Sequence, residues 1–354
     1  YPLPLDKNAR SASGIRPLKM LKAFKNIGYS VYEVTGYGNE RKKHIEIIKQ
    51  KIISGEKIDF LYSESSTMPT LLTERHHLPI FPFLDFNFFK FCKQNKIPIG
   101  LFYRDIYWLF PEYNNNLSFL KRSIAKFFYR YDLKKYNELV DIIYLPSIKM
   151  VKYIPIINKD KFKELPPGHD GCNNFVIKRD TDTIELLYVG GIGNHYQMHK
   201  LFKVLKKFPK IHFTLCTREN EWQNVKNEYE LSNNISIVHK NGQEIDKLYE
   251  KSDITMLFVK PQEYWEFAVP FKLYEYIGKG KPIIASRGTL AGKFVEENDI
   301  GWCIDYDEKA LENLFYTILN NLGDIKKKQL NVIKMSNNHT WDKRALQVVD
   351  DLLK

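Results

Sequence analysis

Short apolar runs alternate with amphipathic stretches along this chain, and that alternation restricts the possible folds more than any other feature. The spacing predicts helix over residues 15–27, strand over 29–35, helix over 42–53, strand over 58–62 and helix over 67–77. Strand 97–103, a long helix over 117–139 and strand 141–145 follow. A second series runs through strands 185–189, 211–216, 235–238, 253–258, 282–286 and 301–304, with helices interposed and a final one over 341–353. Strands buried on both faces read as continuous apolar runs, and parallel neighbours need a crossover, usually a helix. The expected class is α/β, with two Rossmann-like domains built on parallel sheets. A length of 354 residues accommodates both. The expected divisions are 1–165, 166–335 and a C-terminal segment 336–354. An apolar strand is also expected before the first helix, where only Tyr1-Pro2-Leu3-Pro4-Leu5 is present, short or truncated.

The most informative stretch is 270–286, which reads as a short helix, a glycine stop and a buried strand. Pro270 suits a helix start, and Gly278 and Gly280 end the helix before Pro282-Ile283-Ile284-Ala285. Lys272 and Glu275 stand three apart and share a helix face. Backbone N–H groups at the helix start that Pro270 and Phe271 open, with a lysine beside them, suit a diphosphate, while a carboxylate one turn on suits the two hydroxyls of a ribose. A solvated Lys–Glu pair is the plainer alternative.

Gly190-Gly191-Ile192-Gly193 follows a strand, and glycines there let backbone approach a phosphate. Arg218, after strand 211–216, is a second candidate cation, and His239, after strand 235–238, stands where a base would be framed. In the first half, Arg104-Asp105 ends strand 97–103. Asp105 is a candidate for orienting or deprotonating an acceptor hydroxyl, or with Arg104 it caps the strand. Gly14 and Arg16, in a loop expected over 6–16, are candidate acceptor contacts, a plain surface arginine being the alternative.

The stretch 270–286 resembles the donor-site motif of GT-B glycosyltransferases of the large family 4 type, through Pro270-x-Lys272-x-x-Glu275-Tyr276 closing on Gly280-Lys281-Pro282-Ile283-Ile284-Ala285. The resemblance implies two domains facing a central cleft, the first for acceptor and the second for a nucleotide sugar, with the last helix crossing back to the first. It implies sugar transfer from a nucleotide-diphosphate sugar, UDP- or GDP-linked, to a glycan or lipid-linked acceptor in surface-glycan synthesis. Retention, no bound cofactor and no metal are further implications, and the catalytic set would be Asp105, Lys272 and Glu275. The sequence departs from the family in offering Asn194, His195 and Tyr196 where many members carry an Arg and a Lys, and Phe267 where many carry a glutamate. A sugar-nucleotide epimerase of the same fold, or an idle subunit supporting a partner transferase, remains an alternative.

Charge is unevenly spread: residues 1–170 hold 28 Lys+Arg against 17 Asp+Glu, whereas 171–354 hold 26 against 25. The basic half carries two aromatic stretches, 81–91 with six phenylalanines and 117–131, where Leu117, Leu120, Ile124, Phe127 and Phe128 keep helical spacing beside Lys121, Arg122, Lys126 and Arg130. Such a helix fits an anionic membrane surface, or packs on the sheet with its lysines in water. Nucleic acid is not an expected partner, since basic residues interleave with acidic ones and no nucleic-acid motif stands out. Cys92, Cys172, Cys216 and Cys303 are scattered without a Cys-x-x-Cys pair, which favours free thiols, and with no signal peptide or apolar span evident the expected compartment is the cytoplasm, at the inner membrane face if the helix docks.

Overall fold

The computed structural model describes residues 1–9, 11–110, 118–171, 182–193 and 196–354; Leu117, Cys172, Asn194 and His195 lie outside them. The chain divides into two compact units, Tyr1–Pro167 with Trp341–Lys354, and Gly168–Thr340.

The first unit opens with α1 (Ala12–Asn26), started by Ser11, whose hydroxyl accepts from Gly14 N. After α2 (Gly38–Ile53) come β1 (Leu61–Glu64), α3 (Leu84–Gln94), β2 (Ile99–Phe102), α4 (Phe119–Leu139), β3 (Ile142–Leu145) and β4 (Phe162–Glu164). The four strands form one parallel sheet in the order β1-β2-β3-β4. The C-terminal helix of the chain, Trp341–Leu352, packs on α1 within this unit.

Several expectations for this half need correction. The helix begins at Ala12, so Gly14 and Arg16 sit in helix rather than loop. Residues 29–35 alternate as a strand does but join no sheet among the described residues. Helix 67–77 shrinks to a 3-10 turn, Thr70–Leu72. Pro69 disfavours helix at the residue before it, and the Ser66 hydroxyl fixes a competing turn with Met68 O. The phenylalanine-rich stretch supplies α3, which buries Phe86, Phe88, Phe89 and Cys92. β4, three residues with only Phe162 buried, is too short and too charged to be read from pattern.

In the second unit the order is β5 (Ile184–Val189), α5 (His199–Leu205), β6 (Ile211–Cys216), α6 (Glu219–Val225), β7 (Ile235–Val238), α7 (Gln243–Lys251), β8 (Ile254–Leu257) and α8 (Phe271–Gly278). It continues with β9 (Ile283–Ser286), α9 (Leu290–Glu297), β10 (Gly301–Ile304), α10 (Glu308–Asn320) and α11 (Gly323–Ser336). All strands are parallel, in the order β10-β9-β8-β5-β6-β7. Every residue of β8 and β9 is buried, as a central parallel strand requires. Connections run one way from β5 through β7 and the other way from β8 through β10, so strand order reverses between β5 and β8. That reversal is where an open parallel sheet offers a crevice at its carboxyl ends.

Candidate functional site

At the reversal, the loop after β5 and the start of α8 come together. Gly190 and Gly193 have φ of +144° and +133°, values that favour glycine. Gly190 also has no room for a side chain, since a Cβ there would lie 1.9 Å from Lys272 Cε. Lys272 thus lies along the glycine loop. Its Nζ is 4.2 Å from the Tyr188 ring centre and 3.6 Å from that of Tyr196, and it bonds the Tyr188 hydroxyl. That hydroxyl in turn donates to Gly191 O at 2.7 Å. Among the described residues Lys272 forms no ion pair. Burial pulls its ammonium down to about 7, against the opposing pull of Glu275 and Glu221.

α8 starts at Pro270, with backbone in the extended region and no side-chain cap. Leu273 N donates to Pro270 O at 3.1 Å, and the positive end of the helix dipole lies beside Lys272. One turn on, Glu275 is partly buried, and burial raises its carboxyl while Tyr249, Lys279 and Lys272 counter that rise. The buried Tyr249 hydroxyl makes no hydrogen bond of its own within 3.5 Å. Lys279 is taken by Asp246 at 2.6 Å.

Around this pair the structure gathers several groups. Arg218 stands at the residue before α6, makes no side-chain cap there, and pairs with Glu221 at 3.1 Å. Glu221 turns its other oxygen to Ile192 N at 3.4 Å and would crowd a Cβ on Gly191 at 3.1 Å. A carboxylate thus sits against the glycine loop, where an anion would accept the same N–H. His239 Nδ1 donates to Thr217 O at 2.8 Å, while the buried Thr217 hydroxyl lacks a partner.

Residues 173–336 match the family model of glycosyl transferases group 1. This part of the chain is a group 1 glycosyltransferase domain. Among solved structures the chain is similar to Anabaena HepE in complex with UDP and glucose: 14% identity, 98% of this chain and 97% of that one, TM-score 0.63. It is also similar to a glycosyltransferase from Rickettsia africae, at 14% identity, 97% and 96% coverage and TM-score 0.62. WaaG, a glycosyltransferase involved in lipopolysaccharide biosynthesis, aligns at 11% identity, 99% and 97% coverage and TM-score 0.59. At such identities the likeness is one of fold, and the fold is GT-B. No curated protein sequence matches the chain.

Within the group 1 domain, Lys272, Glu275, Pro270, Phe271, Gly191, Gly193, Arg218 and His239 all lie at carboxyl ends of strands or on the elements that follow. Tyr188, Tyr249 and Glu221 carry no motif; only their three-dimensional placement reveals them. Two Asp-x-Asp tripeptides occur in the chain, at 180–182 and 305–307. Asp180 lies outside the described residues, while Asp305 pairs with Arg287 and Asp307 caps α10 through Lys309 N and Ala310 N. Among the described residues no cluster of three His, Cys, Asp or Glu is placed to hold a metal.

In the first unit the candidate residues have protein partners. Arg16 is buried, not on the surface: its guanidinium donates to Leu165 O at 3.2 Å, lies 3.3 Å from Glu64 and stacks 3.5 Å over Phe102. Arg104 pairs with Glu64 at 2.8 Å, and Asp105 accepts from Tyr107 N at 2.9 Å. Gly14 belongs to the first turn of α1.

Proposed function

We propose that this protein transfers a sugar from a nucleoside-diphosphate sugar to a glycan or lipid-linked acceptor, with retention and without a metal. The observation that carries the reading is Lys272, a half-buried cation without a carboxylate partner among the described residues, laid along a glycine loop beside a helix start with no side-chain cap. Lys272, at the positive end of the α8 dipole, would hold the diphosphate and stabilise the charge that grows on it as the glycosidic bond breaks. Glu275 would accept from the ribose hydroxyls, and His239 would border the base. Arg218 would gain a phosphate when Glu221 gives way. On the acceptor side, Asp105 is the carboxylate we assign to the incoming hydroxyl, with Arg104 and Arg16 holding the adjoining strand ends through Glu64. HepE, whose fold this chain shares, was crystallised with UDP-glucose, which makes UDP the first nucleotide to try.

The acceptor reading extends to a membrane. α4 packs through Tyr129, Leu133 and Tyr136, but its first turns expose Phe119, Leu120, Ile124 and Phe127 beside Lys121, Arg122 and Lys126. No helix among the described residues is long and apolar enough to cross a bilayer. Peripheral docking of α4 on an anionic leaflet would bring a lipid-linked acceptor to the enzyme.

The deciding experiment is a thermal-shift titration with UDP, GDP, ADP and CMP without added metal. One nucleoside diphosphate at about a hundredfold its Kd should add roughly 2.7 kcal/mol of stability. Glu275→Ala should lose that gain while keeping its own fold. No gain from any of them would overturn the donor site, and a gain retained in Glu275→Ala would overturn the role of that residue.

A further inference from the structure

Glu221 carries the wrong sign for a place that is to receive a diphosphate, yet the fold holds it there. Trp222, the next residue, is buried, with its ring centre 6.4 Å from that of Phe202 and 5.9 Å from that of Tyr229, which fixes the rotation of α6. Glu221 thereby faces the loop after β5. One of its oxygens pairs with Arg218 at 3.1 Å and the other accepts from Ile192 N at 3.4 Å. Gly191 makes room for it, since a Cβ there would stand 3.1 Å from that second oxygen. The loop is pinned independently by the Tyr188 hydroxyl, which donates to Gly191 O at 2.7 Å.

Lys272, on α8, feels the same carboxylate, which favours its charge. Residues 190–197, Gly-Gly-Ile-Gly-Asn-His-Tyr-Gln, bring neither lysine nor arginine of their own. One carboxylate therefore engages an arginine, a backbone N–H and the field of a lysine, the groups that a phosphate would use. Its side chain keeps 24% of its exposure, so it can rotate into water without moving the backbone.

Given the proposed sugar transfer, on which this inference rests, the ligand changes charge during the reaction. The bond between the anomeric carbon and a β-phosphate oxygen breaks, and that carbon bonds to the acceptor oxygen. The electron pair stays on the phosphate and the acceptor's proton is released. The nucleoside diphosphate left behind thus carries one more negative charge than the donor, once its terminal phosphate has ionised near about pH 6. We propose that Glu221 is a displaceable internal anion that sets the balance between donor and product: it yields to the nucleotide sugar and repels the more highly charged nucleoside diphosphate. As the product leaves, the carboxylate returns to Arg218 and Ile192 N. Repulsion of this kind grows with ligand charge and is screened less in a half-buried place than in open water.

The test is isothermal titration at pH 7 of the parent chain, Glu221→Gln and Glu221→Asp, with UDP against UDP-glucose and GDP against GDP-mannose. Glutamine keeps an oxygen for Ile192 N and removes the charge; aspartate keeps the charge. For the pair that binds the parent, Glu221→Gln should tighten the nucleoside diphosphate by about tenfold and its sugar conjugate by only about threefold. Glu221→Asp should leave the ratio of the two affinities near that of the parent. A purely structural pair with Arg218 would move both ligands alike. Equal factors for the two ligands in Glu221→Gln, weaker binding of both, or the same change of ratio in Glu221→Asp would each overturn the proposal while the donor site stands. Binding of neither pair by the parent would overturn the donor reading itself, and this role of Glu221 with it.

Discussion

Both sheets place basic side chains near their carboxyl ends, but the two units use them differently. In the first unit, Arg16 and Arg104 converge on one buried carboxylate, Glu64, and Arg16 adds a backbone carbonyl and an aromatic face. In the second, Lys272 packs half-buried against two tyrosine rings and a hydroxyl, with carboxylates near enough to favour its charge but none paired with it among the described residues. A satisfied arginine stiffens a fold. A half-buried lysine without an anion costs stability, a cost that a diphosphate would offset under the proposed function.

That contrast breaks first at Arg16. Arg16→Met removes one partner of a buried ion pair, so a loss of about 3 kcal/mol or more is expected in chemical denaturation. Nucleotide affinity measured below the unfolding transition should stay near that of the unsubstituted chain. An unchanged midpoint would show that Glu64 is content with Arg104 alone.

Lys272→Met should do the reverse. Losing the charge-assisted contact to a diphosphate is expected to weaken nucleotide binding by about tenfold to a hundredfold. Turnover should fall about a hundredfold or more, if the lysine stabilises the leaving group. Stability at pH 7 should hold or rise, because a desolvated cation is removed. A variant that binds normally but unfolds early would give Lys272 the structural role of Arg16.

The pH dependence sharpens the same point. With Lys272 near 7 in the free protein, an anionic diphosphate binds the protonated form and draws in a proton. Affinity should be level below about pH 7 and fall by up to tenfold per unit above it, an effect absent for the nucleoside without phosphate. Stability runs the opposite way. The unfolded lysine titrates near 10.4, so between about 7 and 10 the unfolded state holds more protons and this residue's contribution to stability rises with pH. Lys272→Met should flatten both profiles, as isothermal titration and denaturation across pH would reveal.

Much of the second unit was legible because each of its signals is local. Short runs dominated by apolar residues and flanked by polar ones mark β6, β7 and β10 to the residue, and Pro270, Lys272 and Glu275 lie within six positions of one another. What stayed hidden there depends on side chains meeting across the fold, as Tyr188 and Glu221 do around Gly190 and Gly191. The first unit was less legible because a strand is defined by its neighbours. Residues 29–35 have the pattern but join no sheet among the described residues, whereas Phe162–Glu164 have a partner in β3 with scarcely a pattern. Arg16 illustrates the same limit, since nothing near it in sequence foretells Glu64, Phe102 and Leu165.

The smallest expected effect concerns a buried acid that, unlike Glu64, has no cation partner among the described residues. Asp132, on α4, accepts from Thr70 N at 2.7 Å through one oxygen, while the other is buried without a partner. Burial pushes its carboxyl up to about 7, against the hydrogen bonds from Thr70. The folded state therefore holds a proton between about pH 4 and 7 that the unfolded state releases, so stability from this residue falls as pH rises through that window. Asp132→Asn keeps an acceptor for Thr70 N and removes the charge. It should gain about 1 kcal/mol at pH 8 and almost nothing at pH 4. A loss at pH 8 instead would mean that the ionised carboxylate finds stabilisation in solution, and that the first unit, like the second, tolerates a buried charge awaiting a partner.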